Sequence, residues 1–325
     1  MSERTVRGVE LGEIPGTRRL LLFAVGVVFW GWLLVRWTHD LFVAPGVNTS
    51  DREPFVPPEI FANGAASLEK LAAGGGPLAG VYGTLAGLFD FLAFGMSVMP
   101  ELATGARLTV LLTVLSILLG LVIAVPLAVA RTYGGAVSRW VALTYTELLR
   151  GTPLLAQLFV LYFGLPTSQV VRLVPGVGTG IVPRAAVWVA VIGFTINSSA
   201  YQAEYIRSAL QSVESGQMTA ARSVGLSRLE SIRHVILPQG LRYAIPGWTN
   251  ELVYLVKYSS LAAFIAVTEL FKRADSIASD TIRVIDIYLW VAILYLALVL
   301  TLSVAMSRFE ARVSIPGVGS PGERD

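Results

Sequence analysis

The feature that most constrains this chain is a series of apolar runs, each long enough to cross a lipid bilayer. A membrane helix needs about 20 mostly apolar residues, because a rise of about 1.5 Å per residue must cover a hydrocarbon core of about 30 Å. Hydrophobic residues make up 54% of the 325 positions and charged residues only 14%, whereas soluble proteins carry about 25% charged residues. The sequence therefore predicts an all-α integral membrane protein. Its six runs lie at 19–38, 102–130, 140–164, 184–207, 240–270 and 285–307.

The composition also excludes several kinds of site. The chain has no cysteine, so it can form no disulfide, zinc–thiolate site or cysteine nucleophile. Its two histidines, His39 and His234, are too few for a His-rich metal centre or for the paired groups that activate an enzyme nucleophile. None of the lysines stands in a G-x-x-x-x-G-K-[ST] motif, so we expect no ATP-binding P-loop in this chain. These absences argue against an enzyme and against a metal site.

The first run, 19–38, has two interpretations. It could be a cleaved signal peptide or a span that stays in the protein. Arg18 and Arg19 precede it, and three tryptophans lie toward its far end, where an aromatic belt forms in membrane helices. No clear small-x-small cleavage site follows. We therefore predict an uncleaved N-terminal span.

The distribution of charge predicts the sidedness, because cytoplasmic flanks of membrane helices are rich in Lys and Arg. The first 19 residues hold four arginines, whereas 39–101 holds two basic and seven acidic residues. We therefore expect both termini in the cytoplasm and 39–101 outside. This requires that 78–99, which is apolar and Gly-rich, lies at the interface or is re-entrant rather than crossing. Three basic residues, at 272, 273 and 283, fall outside against the rule.

The loop between the fourth and fifth runs is basic and has a specific local pattern. Small residues at 220–221 allow another surface to approach closely, and Gly225 can adopt the left-handed conformation that ends a helix. Ser227 and Glu230 form an S-x-x-E capping box, and Pro238 suits the first turn of a helix. The pattern predicts a helix, a glycine turn, a second helix and then a span. The alternative is an ordinary basic loop that obeys the positive-inside rule.

Four segments carry a resemblance to a known family. "AARSVGLSRLESIRHVILP" resembles the loop signature of ABC importer permeases, with two small residues, a Gly and an Ile-Leu-Pro end. The segments at 147–166, 197–217 and 250–270, "ELLRGTPLLAQLFVLYFGLP", "NSSAYQAEYIRSALQSVESGQ" and "NELVYLVKYSSLAAFIAVTEL", resemble the polar amino-acid uptake permeases of the histidine, glutamine and arginine type. The resemblance covers roughly 101–312.

The resemblance implies a type I (MetI-like) ABC importer core of five helices, to which this chain adds an N-terminal span. Residues 1–40 would then be a cytoplasmic N-terminus and the extra span, and 41–100 an external segment. The permease domain would occupy 101–312, with 313–325 as a cytoplasmic tail. Within that domain we name 211–237 the coupling loop, which in such permeases sits in a groove of the ATPase.

The partners implied by the resemblance are a dimer of cytoplasmic ATPase subunits, an external substrate-binding protein and a second permease subunit, identical or different. No cofactor would be bound by this chain, because ATP and Mg²⁺ would sit on the ATPase. The implied location is the cell membrane, crossed several times. The implied contacts with the ATPase are Thr219, Ala220, Ala221, Gly225, Leu226, Ile236, Leu237 and Pro238.

The chain departs from this family at two positions. Thr219 stands where the family usually has Glu, which puts one polar contact with the ATPase in doubt. Tyr258 stands where the family often has Asp, which removes an acid near the membrane centre.

Polar groups within the predicted spans are candidates for the substrate path, since an ionisable group in hydrocarbon is costly unless it is paired or hydrated. An amino acid is a zwitterion and needs an acid for its ammonium group and donors for its carboxylate. The alternative is structural: Glu147 with Arg150 and Glu204 with Arg207 are three apart, which suits intrahelical pairs. The candidates are Glu147, Asn197, Ser198, Glu204, Glu251, Lys257 and Ser259.

Three transport functions follow, in decreasing order of support. The first is the permease subunit of a binding-protein-dependent importer for polar amino acids. The second is an ABC permease for another small solute, such as an opine or an organic cation. The third is a secondary transporter without an ATPase, which would have no use for the coupling loop and for which the sequence offers no repeated half.

Overall fold

The fold is entirely helical over the part of the chain that the structure, a computed structural model, describes: residues 16–44 and 51–313. The prediction of an all-α protein is confirmed. The helices are α1 (Gly16–Thr38), α2 (Glu59–Ala73), α3 (Ala79–Tyr133), α4 (Ala136–Arg150), α5 (Leu154–Phe159), α6 (Thr167–Arg172), α7 (Ala185–Ser212), α8 (Ser215–Ser223), α9 (Arg228–Ser231), α10 (Leu237–Tyr258), α11 (Leu270–Thr281) and α12 (Val284–Val313). Single π-helical turns follow α1, α5 and α9, and a 3₁₀ segment, Ser259–Ile265, follows α10.

Helix α3 is a single helix of 55 residues. At about 1.5 Å per residue it is about 80 Å long, more than twice the hydrocarbon thickness of a bilayer. Its second half contains the predicted run 102–130, and its first half contains almost all of 78–99. The chain does not reverse between the two, so 78–99 is not a re-entrant piece that folds back before the run. The interfacial alternative stays a prediction.

The predicted run 140–164 is wrong as a single span. Helix α4 ends at Arg150, and α5 begins after Pro153. Gly151 follows α4, and Pro153, in extended conformation with no N–H to donate, prevents the helix from continuing. The runs 184–207 and 285–307 coincide with helices α7 and α12. Helix α12 is long and apolar enough to cross a membrane, whereas a crossing by α7 stays a prediction.

The predicted run 240–270 lies on a helix that bends. The backbone is helical from Arg228 to Ile265, and the next helix, α11, departs at 54°. Ala266 between them is in the left-handed region, with φ of 63°. By length and composition, within the described residues, α3 and α12 can each cross a membrane, and this bent pair makes a third if it is one span. The six-span topology stays a prediction.

Helix α3 forms the centre of the molecule. It contributes to all three clusters of buried apolar side chains, one shared with α1, α11 and α12, one with α5, α7 and α10, and one with α7 and α10. The packing is close where α3 meets α12: a Cβ added to Gly95 would lie 2.0 Å from the ring of Trp290. A side chain at position 95 would therefore push the two helices apart.

The N-terminal helix is attached to this core through specific hydrogen bonds. Trp30 donates to the hydroxyl of Thr301 in α12 at 2.9 Å, and Trp37 donates to the carbonyl of Ala103 in α3 at 2.7 Å. Arg52, in the segment after α1, donates to the hydroxyl of Thr104 at 3.0 Å. The predicted extra helix therefore packs directly on the helices of the permease domain.

Candidate functional site

The coupling loop has the predicted helix–turn–helix form. Helix α8 ends in a Schellman motif: the N–H of Leu226 donates to the carbonyl of Ala221 at 3.2 Å, and the N–H of Gly225 donates to that of Arg222 at 3.1 Å. Gly225 has φ of +94°, a conformation that costs other residues about 1–2 kcal/mol. The glycine turn predicted from the sequence is confirmed.

The capping box at the start of α9 is also confirmed. The N–H of Glu230 donates to the Ser227 hydroxyl at 3.3 Å, and the N–H of Ser227 donates to the Glu230 carboxylate at 2.8 Å. The Ser227 hydroxyl and the Ser227 N–H both favour the charged carboxylate and hold the pKa of Glu230 below its usual value. The turn at Gly225 therefore lies between two ordered helix ends.

The residues predicted to contact the ATPase differ in exposure. Thr219, Ala220, Gly225 and Pro238 are exposed, and Leu226 and Leu237 are half-buried. By contrast, Ala221 and Ile236 are buried within the chain, with 5% and 2% of their surface exposed. These two residues therefore hold the loop together, and a partner would meet the others.

Two apolar residues of the loop escaped the sequence reasoning. Val224 and Leu229 are 78% and 72% exposed, on either side of the glycine turn. The sequence did contain a signal for both: Val224 is an apolar residue directly before the turn, and Leu229 is an apolar residue at the start of a polar helix. Isolated exposed apolar residues are common, but two beside a rigid turn provide an apolar contact surface.

The coupling loop is also tied to the core. The Arg228 guanidinium donates to the carbonyl of Tyr133 at 3.0 Å. Tyr133 is the last residue of α3, where unpaired carbonyls attract a cation. The sequence gives no sign of this contact, because the two residues are 95 positions apart.

Three of the predicted substrate-path residues are used within the helix bundle. Asn197 donates to the side chain of Gln157 at 3.1 Å, and Ser198 accepts from Gln202 at 2.9 Å. Ser259 donates to the carbonyl of Val256 at 2.8 Å. All three predicted residues are buried.

Helix α10 presents a different kind of surface. Apart from Lys257, its exposed residues recur every four positions from Arg242 onward and form a row that winds slowly around the helix, because each step of four residues turns about 40° past a full turn. Lys257 lies beside this row, with its ammonium 4.6 Å from the Tyr254 ring, while Glu251 is buried with the Ser198 hydroxyl as hydrogen-bond partner. We call the row the α10 stripe: Arg242, Pro246, Asn250, Tyr254 and Tyr258.

The two remaining candidates, Glu147 and Glu204, meet in one ion cluster. Glu204 accepts hydrogen bonds from Arg207 on its own helix and from Arg131 of α3, the latter at 2.7 Å. Arg150 of α4 lies 3.8 Å from the same carboxylate. Glu147 lies 3.7 Å from Arg131 and 3.9 Å from Arg150. The cluster therefore joins the two Glu–Arg pairs predicted from spacing.

Arg131 is the member that sequence reasoning missed. It lies 73 positions from Glu204 and has no helical spacing to either pair.

The described residues contain no group of three or more His, Asp or Glu side chains arranged to hold a metal ion.

Comparison with known proteins identifies a family match and close relatives. The model of the family described as "binding-protein-dependent transport system inner membrane component" matches residues 116–315. The glutamine transport system permease protein of Escherichia coli strain K12 is 37% identical over 228 residues, covering 70% of this chain and 99% of the relative. A probable amino-acid ABC transporter permease protein of Bacillus subtilis strain 168 is 40% identical, covering 61% of this chain and 83% of the relative. A crystal structure of an amino acid ABC transporter with histidines has a TM-score of 0.59 and 35% identity, covering 69% of this chain and 98% of that one.

Proposed function

Because the chain belongs to the family of binding-protein-dependent transport system inner membrane components, we propose that it is the permease subunit of an ATP-driven importer for polar amino acids. It forms part of the path through the membrane and transmits the work of a cytoplasmic ATPase to that path. The chain itself binds no ATP; ATP and Mg²⁺ bind to the ATPase.

The geometry of the coupling loop is the observation that carries this proposal. The loop has a rigid turn at Gly225 between two capped helix ends, and it exposes Val224 and Leu229 beside that turn. A flexible connector between two spans needs none of these features. A preformed apolar surface suits docking to another protein, since little conformational entropy is lost on binding.

The α10 stripe supports a path shared with a second permease subunit. Asn250 and Tyr254 are exposed on a helix that, on this proposal, lies in the membrane. Polar groups are costly against lipid, so the stripe faces an aqueous path or another chain. A second subunit, identical or different, would complete that path.

The substrate class rests on the relatives and on chemistry. The relatives named above include a glutamine permease and an amino-acid permease. Glu251 and Lys257 provide one acid and one cation beside the stripe. These groups suit the ammonium and carboxylate of a zwitterion, delivered from outside by a substrate-binding protein. Both termini are cytoplasmic in this proposal, as the charge distribution favours.

Reconstitution tests the proposal. The chain would be co-purified with the ATPase and any second permease subunit, placed in liposomes and supplied with the binding protein. We expect uptake of labelled glutamine, histidine or arginine only when ATP is present on the side of the membrane where the ATPase lies. Uptake that needs no ATPase would overturn the proposal in favour of a secondary transporter. ATP-driven uptake of an opine or organic cation alone would overturn the substrate class.

A further inference from the structure

The coupling loop and the ion cluster meet at one end of α3. Arg228 of the loop donates to the carbonyl of Tyr133. Two residues earlier on the same helix, Arg131 donates to Glu204 of α7 at 2.7 Å and to the Thr146 hydroxyl of α4 at 2.9 Å. A continuous series of polar contacts therefore runs from the loop, through the last turn of α3, to both α4 and α7.

Glu204 is the centre of the cluster. Its carboxylate is in contact with three guanidinium groups, those of Arg131, Arg150 and Arg207. The side chains of Arg131 and Glu204 are 12% and 18% exposed, so neither charge is fully screened by solvent. Without the Glu204 carboxylate, three cations would face one another across three helices, with only Glu147, which is 59% exposed, to balance them.

This geometry does not suit a substrate-binding acid. Both carboxylate oxygens of Glu204 already accept from arginines, Oε1 from Arg207 and Oε2 from Arg131. A substrate ammonium could bind Glu204 only by displacing one of these two guanidinium groups, and each of them is held beside Glu204 by the helix that carries it. The cluster instead suits a structural link that holds α3, α4 and α7 in one arrangement. Such a link changes as a unit when one of these helices moves.

We infer that Arg131 and Glu204 are positioning residues for transport, which link movement of the coupling loop to α4 and α7. The inference rests on the proposed function, because it assumes that an ATPase moves the loop. Arg228 transmits that movement to the end of α3. Arg131 then carries it to Glu204 on α7 and to Thr146 on α4, and α10 receives it through its packing on α7.

A double-mutant cycle tests this link. Arg228→Ala, Glu204→Gln and the double variant would be purified with the ATPase and reconstituted with the binding protein. The quantity measured is substrate imported per ATP hydrolysed. We expect each single variant to lose about 5- to 10-fold, the size of a typical coupling between sites. The double variant should lose no more than the stronger single one, because residues that act through one series of contacts are non-additive.

Two further variants make the test specific. Arg233→Ala removes another exposed arginine of the coupling loop, one whose side chain makes no hydrogen bond or ion pair within the described part of the chain. It should stay within about twofold of the wild-type ratio, as a surface substitution should. Arg228→Lys retains a donor for the Tyr133 carbonyl and should recover most of the loss. If Glu204→Gln fails to assemble, Glu204→Asp, which keeps the charge and shortens its reach, takes its place in the cycle.

The outcomes separate this inference from the proposed function. If the wild-type complex imports no amino acid with ATP, the proposed function fails. If the wild-type complex imports but the double variant loses the product of the two single losses, the loop and the cluster act independently and the inference is wrong. The same conclusion follows if neither single variant changes the ratio.

Discussion

Arg131 in α3 and Glu204 in α7 are 73 positions apart, and their Nη1 and Oε2 atoms lie 2.7 Å apart. This ion pair joins the last turn of α3 to a point on α7 eight residues before that helix ends, and α8 of the coupling loop begins three residues after the end of α7. The two Glu–Arg pairs that helical spacing predicted separately thus belong to one ion cluster. Its position near the loop suits transmission between loop and path better than direct contact with a substrate.

Substitution of Gly225 by valine tests the turn. A β-branched residue at φ of +94° pays about 1–2 kcal/mol of backbone strain. No other atom lies within 4 Å of a Cβ added there, so the effect is backbone strain together with obstruction of a docked partner. We expect Gly225→Val to reach normal membrane levels but to co-purify with less ATPase and to import little.

Gly225→Asn is the matched control, because Asn tolerates the left-handed conformation better than other side chains. It should retain more ATPase than Gly225→Val. Full uptake by Gly225→Val would mean that the loop is only a connector that follows the positive-inside rule.

Neighbouring alanines should respond differently to a charge. Ala220 is exposed, whereas Ala221 is buried inside the loop. Ala220→Glu should leave the loop folded and weaken the ATPase contact, because a charge is placed in the interface. Ala221→Glu should disrupt the packing of α8 on the following turn, because it buries an unpaired charge within the chain.

Limited proteolysis of the chain without the ATPase distinguishes the two alanine variants. Ala221→Glu should be cut in 211–237 faster than wild type, and Ala220→Glu at the wild-type rate. Equal rates in all three would contradict the assignment of Ala221 to the interior of the loop.

The local features of this fold could be predicted from the sequence, and the distant contacts could not. The Gly225 turn and the Ser227 capping box depend on residues within a few positions of each other, and both are confirmed. The Arg228–Tyr133 contact depends on how the loop folds back on α3, and no local pattern encodes it. The break at Pro153 was in the sequence, but apolar residues on both sides concealed it within a single run.

The exposure of loop residues was predictable only in part for the same reason. Ala220 and Ala221 are equally small, and the sequence offers no basis for separating them. Which of the two is buried is decided by the side of α8 that packs on α9 and the π turn after it. The ion cluster likewise became visible only when α3, α4 and α7 were brought together.

The capping box should make the loop sensitive to acid. The pKa of Glu230 is lowered in the folded chain by its hydrogen bonds with Ser227. A lowered pKa means that the stabilisation is fully present above the ordinary glutamate pKa of about 4.3 and is lost as the pH falls through the folded value. Cleavage within 211–237 by an acid-active protease should therefore become faster as the pH falls through the folded-state pKa of Glu230.

Glu230→Gln is the control for this acid sensitivity. Glutamine can still accept the Ser227 N–H in a capping box and does not titrate. The proteolysis rate of Glu230→Gln should therefore show no change at the pH where Glu230 of the wild type is protonated. An identical acid response in Glu230→Gln and wild type would assign the effect to another group.

Glu251 is the best remaining test of the substrate path. It is buried, with 4% of its surface exposed, and its hydrogen-bond partner is the Ser198 hydroxyl. Glu251→Gln keeps the size of the side chain and a group that can accept from Ser198, but it removes the charge. If the carboxylate receives a substrate ammonium, uptake should fall at least about tenfold, since a hydrogen bond to a charged group contributes about 1.5–3 kcal/mol.

Assembly provides the control for Glu251. The amount of ATPase that co-purifies with Glu251→Gln should equal that of wild type, because the substitution does not reach the coupling loop. Loss of assembly together with uptake would support a structural role for the acid instead.

The sidedness can be tested with reporters, because it rests on charge alone. Residues 39–101 hold seven acidic and two basic residues, which predicts that they lie outside. In the structure, Arg283 pairs with Asp90 of α3 and Asp286 at the start of α12, so the exceptional basic residue at 283 is neutralised locally. An alkaline phosphatase fusion near position 60 should be active only if this segment is exported, and one near position 225 should be inactive. Activity of the fusion at 225, or its absence at 60, would contradict the predicted sidedness and, with it, the use of charge to orient this chain.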